Sequence, residues 1–244
     1  MGQVPKQGDI PYLIIGNGRL AKHIAHYFDL SEIPYLNWYR KSSKSLSSLI
    51  PQSQKILVLI NDDEIENFIS QNKTSFENKT WIHCSGLLST PLAESAHPLM
   101  TFTNELYDLE TYKQIPFVAE KGRKTFVKLF PELSNPSFEI ESELKPLYHA
   151  WCVMSGNFTT ILWQRFFEVF EKQFKIDKEY SFPYLKMISE NLMKSNSPLT
   201  GPLARGDKKV IEKNLSALQD EPFVEIYRSF VNTFNKMKEG GNQK

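Results

Sequence analysis

Short apolar runs and amphipathic stretches alternate from Ile10 to about Ile140, and the first exchange sets the rhythm. Tyr12, Leu13, Ile14 and Ile15 form an unbroken apolar run, after which Leu20, Ile24, Tyr27 and Phe28 recur at helical spacing. The pattern predicts strands at residues 12–15, 35–39, 55–60, 80–84, 116–119 and 138–140. Helices are expected at 19–28, 64–71 and 123–130, with Asp62 or Asp63 capping the second. Strands alternating with helices in this way describe a Rossmann-type, doubly wound, mostly parallel sheet, assigned to residues 1–143.

Past Glu143 the strands stop. One long helix is expected from Lys145 to about Phe174, and three more over 183–194, 208–218 and 222–238, giving an all-α domain over residues 144–244. Residues 147–163 are apolar on nearly every face, yet His149, Ser155, Gly156, Asn157, Thr159 and Thr160 make the stretch too polar and too short to span a membrane. Without a solvated face it must be surrounded by protein, as a central core helix or as a subunit interface.

The link between the first strand and the first helix reads Gly16-Asn17-Gly18-Arg19-Leu20-Ala21, a Gly-x-Gly-x-x-Ala turn. Gly16 permits the tight bend, Gly18 leaves the backbone bare where a pyrophosphate would approach, and Ala21 lets helix and strand pack closely. The helix beyond aims unpaired N–H groups and its positive dipole end at the same place. The expected ligand is a dinucleotide.

Sites of this kind that take NAD place an acid near the end of the second strand, about 20 residues past the glycines. Here the segment is Asn37-Trp38-Tyr39-Arg40-Lys41-Ser42. Arg40, Lys41 and Ser42 can hold a 2′-phosphate that an acid would repel, so the expected cofactor is NADP(H). A solvated basic loop is the alternative reading of these residues.

Composition narrows the remaining choices. A 244-residue chain with 41% hydrophobic residues buries a substantial core. Its 29 Lys and Arg against 28 Asp and Glu, a formal charge of +1, provide no field to recruit nucleic acid or an anionic membrane. Residues 1–9 are short and polar, without the apolar stretch of a signal peptide, so a cytoplasmic location is expected. Cys84 and Cys152 lack metal or disulfide spacing and read as reduced core thiols. No metal site is expected. The sequon at Asn78 and the Arg205-Gly206-Asp207 tripeptide are chance matches, and the Gly-Gly-Asn-Gln-Lys tail is expected to be disordered.

Candidate chemistry gathers at the carboxyl ends of the strands, where ligands bind in open parallel sheets. The third strand ends at Asn61-Asp62-Asp63 and the fourth at His83-Cys84-Ser85-Gly86, so Asn61, Ser85 and Gly86 border the crevice. A tight turn after a buried strand is the alternative reading, and the stronger one for each residue taken alone. His97, before Pro98, is expected in a loop that faces either the cleft or solvent. In the long helix His149 and Asn157 stand eight residues apart, about 80° around the helix and about 12 Å along it, with Gly156 almost directly under His149. A histidine is a natural proton donor to a carbonyl or imine that receives hydride, and an amide can orient that substrate. A satisfied core histidine is the alternative. Residues 197–207 form a rigid, punctuated link in which Asp207 suits a helix N-cap and Arg205 suits a substrate carboxylate.

Taken in order, residues 16–21, 83–86, Ala96-His97-Pro98-Leu99-Met100-Thr101-Phe102, Tyr148-His149-Ala150 through Asn157, and Leu199 through Asp207 resemble the 6-phosphogluconate-dehydrogenase-like superfamily. The similarity is to its bacterial branch, in which a Rossmann domain precedes a helical domain of unknown function. Pyrroline-5-carboxylate reductase and ketopantoate reductase are more distantly similar. The resemblance implies an NADP-binding N-terminal domain, a helical domain that commonly dimerises, so that a homodimer is expected, and a small-molecule active site in the cleft between them. Sugar-acid and ketopantoate enzymes of the superfamily use a helix lysine with asparagines at fourfold spacing, where this chain has His149, Val153 and Asn157, or Lys145 in another register. The expected activity is hydride transfer to or from a small carbonyl or imine compound. The alternative is an NADP(H)-binding sensor or scaffold that catalyses nothing.

Overall fold

The computed structural model describes residues 10–73 and 78–241, so the expectations for residues 1–9 and for the last three residues of the tail lie outside it. Two compact units divide the chain, the first ending at Gln164 and the second starting at Arg165.

The first unit is built on seven strands in the order β2-β1-β3-β4-β5-β6-β7. They are β1 (Ile10–Ile15), β2 (Tyr35–Trp38), β3 (Ser53–Val58), β4 (Thr80–His83), β5 (Glu94–Pro98), β6 (Phe117–Glu120) and β7 (Ser137–Ile140). All neighbouring pairs are parallel except β5 with β6, so the expected mostly parallel Rossmann-like sheet is present. Around it lie α1 (Arg19–Leu30), α2 (Leu46–Leu49), α3 (Asp62–Lys73), α4 (Leu109–Gln114) and α5 (Phe126–Leu129).

An unbroken apolar strand is the signature of a sheet covered on both faces. In β1, Tyr12 and Ile14 pack with Ile24, Tyr27 and Phe28 of α1, whereas Leu13 and Ile15 pack on the opposite face with Ile65 and Ile69 of α3. Successive side chains of a strand point to opposite faces, so all four are needed. The same division repeats in β3, where Leu57 joins the first cluster and Ile56 and Val58 the second.

Three local expectations change. His97 and Pro98 are not in a loop. They close β5, with Ala96, His97 and Pro98 paired to Ala119, Val118 and Phe117. Glu-Ser-Ala-His-Pro carries no β-branched or aromatic residue of the kind that announces a strand, and Pro98 is tolerated because it is the last position. The helix expected at 123–130 shrinks to one turn, α5. Asp62 and Asp63 do not cap α3 from outside but lie within its first turn, which their charge suits.

The long helix starts as α6 (Lys145–Cys152), widens to a π-helical turn at Val153–Phe158, and continues as α7 (Thr159–Lys172). Lys145 is anchored in the sheet. Its Nζ donates to Ser95 Oγ at 2.7 Å and to Glu120 Oε1 at 2.9 Å, and Ser89 donates to the other carboxylate oxygen at 2.8 Å. Both charged side chains are nearly fully buried. Further along, Leu147, Trp151, Met154, Phe158 and Ile161 are exposed in the isolated chain, so this stretch is not a central core helix of the chain itself.

The second unit continues α7 and adds α8 (Phe182–Lys194), α9 (Gly201–Arg205), α10 (Lys208–Ala217) and α11 (Val224–Gly241). Arg165 grips Glu221 with two bonds of 2.6 and 2.7 Å, and the rings of Phe166 and Phe170 lie 4.7 Å apart. Among its described residues only Ser181 is buried. The link at 197–207 holds one helical turn, α9, closed by Gly206 in the left-handed conformation at φ 74°.

Removing one partner of a buried ion pair strands the other charge, at a cost of about 3–5 kcal/mol, whereas an apolar pair of similar size is close to neutral. Lys145→Ala is therefore expected to lower stability in urea by about 3 kcal/mol or more, and Lys145→Met with Glu120→Leu to regain most of it. A single-variant loss below about 1 kcal/mol would contradict this role for the pair.

Candidate functional site

At Gly16 the chain leaves β1 with φ 135°, a conformation that side chains rarely adopt, and an added Cβ would overlap the Leu59 carbonyl oxygen. The turn is pinned on both sides. Gly16 N–H donates to Trp38 O at 2.8 Å, and Leu59 N–H donates to Ile15 O at 2.8 Å. Asn37 reinforces it by donating its side-chain amide to the carbonyls of Ile14 (3.2 Å) and Gly16 (3.0 Å). Gly18 then serves as N-cap of α1 without any side-chain hydrogen bond, and a Cβ there would meet nothing within 4 Å. The leading amides of α1 have no acceptor within the helix and open onto a groove.

That groove encloses about 1050 Å³ along the carboxyl ends of β1, β3 and β4. Residues 16–21 form one wall, with Arg40 and Lys41 beyond the end of β2, Asn61 and Asp62 after β3, and Ser85 after β4. Met100, Thr101, Phe102 and Asn157 also line it. Arg40 is 83% exposed at its side chain and lies 3.2 Å from Glu64 Oε2. Ser42 stands off the groove lining, with its Oγ accepting from Tyr39 N–H at 2.9 Å. The Ser85 hydroxyl donates to Asp62 and accepts from the amides of Leu87 (3.2 Å) and Leu88 (2.9 Å), tying the turns after β3 and β4 together.

Beside the groove is a histidine cluster. An added Cβ on Gly86 would lie 2.8 Å from His149 Cδ2 and 3.0 Å from His97 Cδ2, so the missing side chain makes room for two imidazoles. Their ring centroids are 6.4 Å apart and nearly perpendicular. His97 Nδ1 lies 2.8 Å from the Tyr148 hydroxyl. Burial, with the nearby His149 and Lys145, pulls the His97 pKa down to about 4. Burial also lowers His83 to about 3, helped by Lys145 and Arg123, and raises the Cys84 thiol to about 12, which leaves it unreactive.

The fold thus gathers Gly16, Asn17, Gly18, Arg19, Leu20, Ala21, Arg40, Lys41, Asn61, Ser85 and Asn157 on one groove, and Gly86, His97 and His149 beside it. Arg205 lies in the second unit, held by Asp207 at 2.8 and 2.9 Å. Asp207 occupies the N-cap of α10 but turns its carboxylate to Arg205 rather than to the helix amides. Gly156 does not approach a neighbour, since a Cβ added there would meet nothing within 4 Å among the described residues. Asn37, Asp62, Glu120 and Tyr148 carry roles that no sequence pattern assigns. Their partners stand 21 to 51 positions away, so no local spacing marks them. Among the described residues no cluster of three metal-ligating side chains occurs, and no helix is long and apolar enough to cross a membrane.

Residues 117–233 match the family described as a domain of unknown function, DUF2520. The chain shares its fold with a Bacteroides fragilis protein assigned as an NADP oxidoreductase, at 19% identity and a TM-score of 0.75, over 93% of this chain and 98% of that one. A Thermotoga maritima protein aligns at 20% identity and a TM-score of 0.66, over 95% and 100%. Plasmodium falciparum pyrroline carboxylate reductase, solved with NADP bound, aligns at 13% and 0.58, over 96% and 99%. Among curated proteins none matches. The shared fold is the Rossmann-like sheet followed by helices that the sequence pattern predicts.

Buried His83 and partly buried His97 set an acid sensitivity. Their folded pKa values lie below the ordinary 6.5, so the unfolded chain binds more protons as pH falls from about 6.5. Stability is fully present above that pH and is lost toward about 4 for His97 and about 3 for His83. Each contributes a slope of up to about 1.4 kcal/mol per pH unit. His97→Gln is expected to make urea stability between pH 6 and 4.5 shallower by about that amount; an unchanged slope would contradict the assignment.

Proposed function

We propose that this protein is an NADP(H)-dependent oxidoreductase that moves hydride between the nicotinamide and a small carbonyl or imine compound bearing a carboxylate. The observation that carries the reading is the turn in which Gly16 cannot accept a side chain and Gly18 leaves open space before the free amides of α1. Residues 16–18 and the N–H groups of Arg19, Leu20 and Ala21 hold the pyrophosphate. Arg40 and Lys41 take the 2′-phosphate, Arg40 by leaving Glu64, and Ser42 still has its proton to donate. An acid is absent from the end of β2, where Asn37 is committed to the glycine turn. The fold-sharing reductase that holds NADP supports the same cofactor here.

Asn61, Ser85, Gly86 and Asn157 flank the nicotinamide end, and the cofactor supplies or accepts the hydride when bound. His149 holds the proton that the reduced product needs, with His97 packed against it and Tyr148 fixing the His97 ring. Arg205, paired with Asp207 within the second unit, offers a guanidinium suited to a carboxylate. The helices from Lys145 onward leave many large apolar side chains exposed, which supports a homodimer formed through them.

NADPH is expected to raise the thermal midpoint well above that of the free protein and above the value with equal NADH, by mass action on the folded state. An equal or larger shift with NADH would contradict the 2′-phosphate assignment, and no shift with either would remove the cofactor reading. His149→Ala is expected to abolish NADPH oxidation across a panel of 2-oxo acids, imines and aldehydes while leaving NADPH affinity within about twofold. Unchanged turnover would remove His149 from the chemistry. Tight NADPH binding with no turnover on any compound would favour a nucleotide sensor.

A further inference from the structure

In a regular α-helix His149 and Asn157 would be about 80° apart around the axis, with Gly156 nearly in line with His149. The chain does not adopt that geometry, because residues Val153–Phe158 form a π-helical turn with i→i+5 bonding and about 4.4 residues per turn. In an idealised π-turn each step rotates by about 82° instead of about 100°, and five such steps after Cys152 would bring Asn157 to within about 10° of His149. Gly156 swings about 90° away, in agreement with the empty space around it. The contacts agree, since His149 meets Gly86 after β4 while Asn157 lines the groove that also contains Ser85.

We propose that the π-helical turn is a register device: it takes up one residue more than an α-turn, so that Asn157, eight positions after His149, faces the same ligand as an i+7 residue would. The proposal rests on the function assigned above in naming that ligand, the nicotinamide end of the cofactor with its substrate. Lys145 fixes the start of the helix through Glu120 and Ser95, and the π-turn sets the rotation of the helix beyond it. Asn157 is then a positioning contact to the cofactor, and the turn supplies its azimuth. π-Turns are rare, and they gather at functional sites.

This geometry makes an unusual expectation. Deleting Ser155, an exposed residue whose Oγ bonds the Trp151 carbonyl of its own helix, removes the extra residue and lets the helix close as regular α. Asn157 then comes seven positions after His149, about 20° from alignment, and α7 keeps its rotation. Inserting one alanine between Ser155 and Gly156 instead turns Asn157 and α7 by about 100°.

The test compares NADPH affinity and thermal midpoint for the full chain, the Ser155 deletion, the alanine insertion and Asn157→Ala. The deletion is expected to keep affinity within about twofold and the midpoint within about 3 °C, whereas the insertion loses about tenfold or more in affinity and melts markedly lower. Asn157→Ala is expected to weaken NADPH while leaving the midpoint of the free protein in place. A deletion as damaging as the insertion, or an insertion as harmless as the deletion, would overturn the proposal. If the unaltered chain binds no NADPH the cofactor reading fails by itself, and the midpoints of deletion and insertion still decide the register.

Discussion

The close crossing of backbone at Gly16 is the constraint on which the rest of the first unit depends. The chain leaving β1 passes against the Leu59 carbonyl with no room for a side chain, and it does so at a φ that L-residues avoid. Two backbone hydrogen bonds and the Asn37 amide hold it there. Because the turn is this tight, α1 begins immediately, its amides face outward beside Gly18, and Ala21 sits directly behind the turn. A carboxylate at position 37 would face two carbonyl oxygens with no proton to offer either. The amide therefore serves the fold first, and the absence of an acid at the end of β2 is partly a consequence of how the glycine turn is held.

A second constraint governs the helix after the sheet. The Lys145 ammonium is expensive to bury, and it is compensated by Glu120 and Ser95 with Ser89 behind. Such a pair contributes less to net stability than to uniqueness of geometry, since any rotation of α6 would break it. His149, one turn further on, is thereby placed against Gly86 and His97. The lysine that the superfamily resemblance offers in an alternative register is held by Glu120 and Ser95, and His149 stands beside the groove with His97.

Most of the sheet was legible from the amino-acid pattern because both of its faces are covered, and Tyr12 to Ile15 must be apolar throughout. β5 escaped because its residues, Glu94 to Pro98, carry no strand propensity, and it forms through pairing with β4 and β6. The glycine turn was legible because its requirement is local: no Cβ at one position, open space at another. The histidine cluster was not, since Gly86, His97 and His149 meet only through the fold. The π-turn left no mark either. Val-Met-Ser-Gly-Asn-Phe reads as ordinary helix, and its wider turn shows only in the backbone.

Amide hydrogen exchange measured by mass spectrometry, with and without saturating NADPH, reports on the glycine turn itself. The strongest slowing of exchange is expected in the peptide spanning Gly16 to Lys22, where the leading amides of α1 acquire phosphate acceptors. Protection confined to other segments, with residues 16–22 exchanging as in the free protein, would contradict the dinucleotide site.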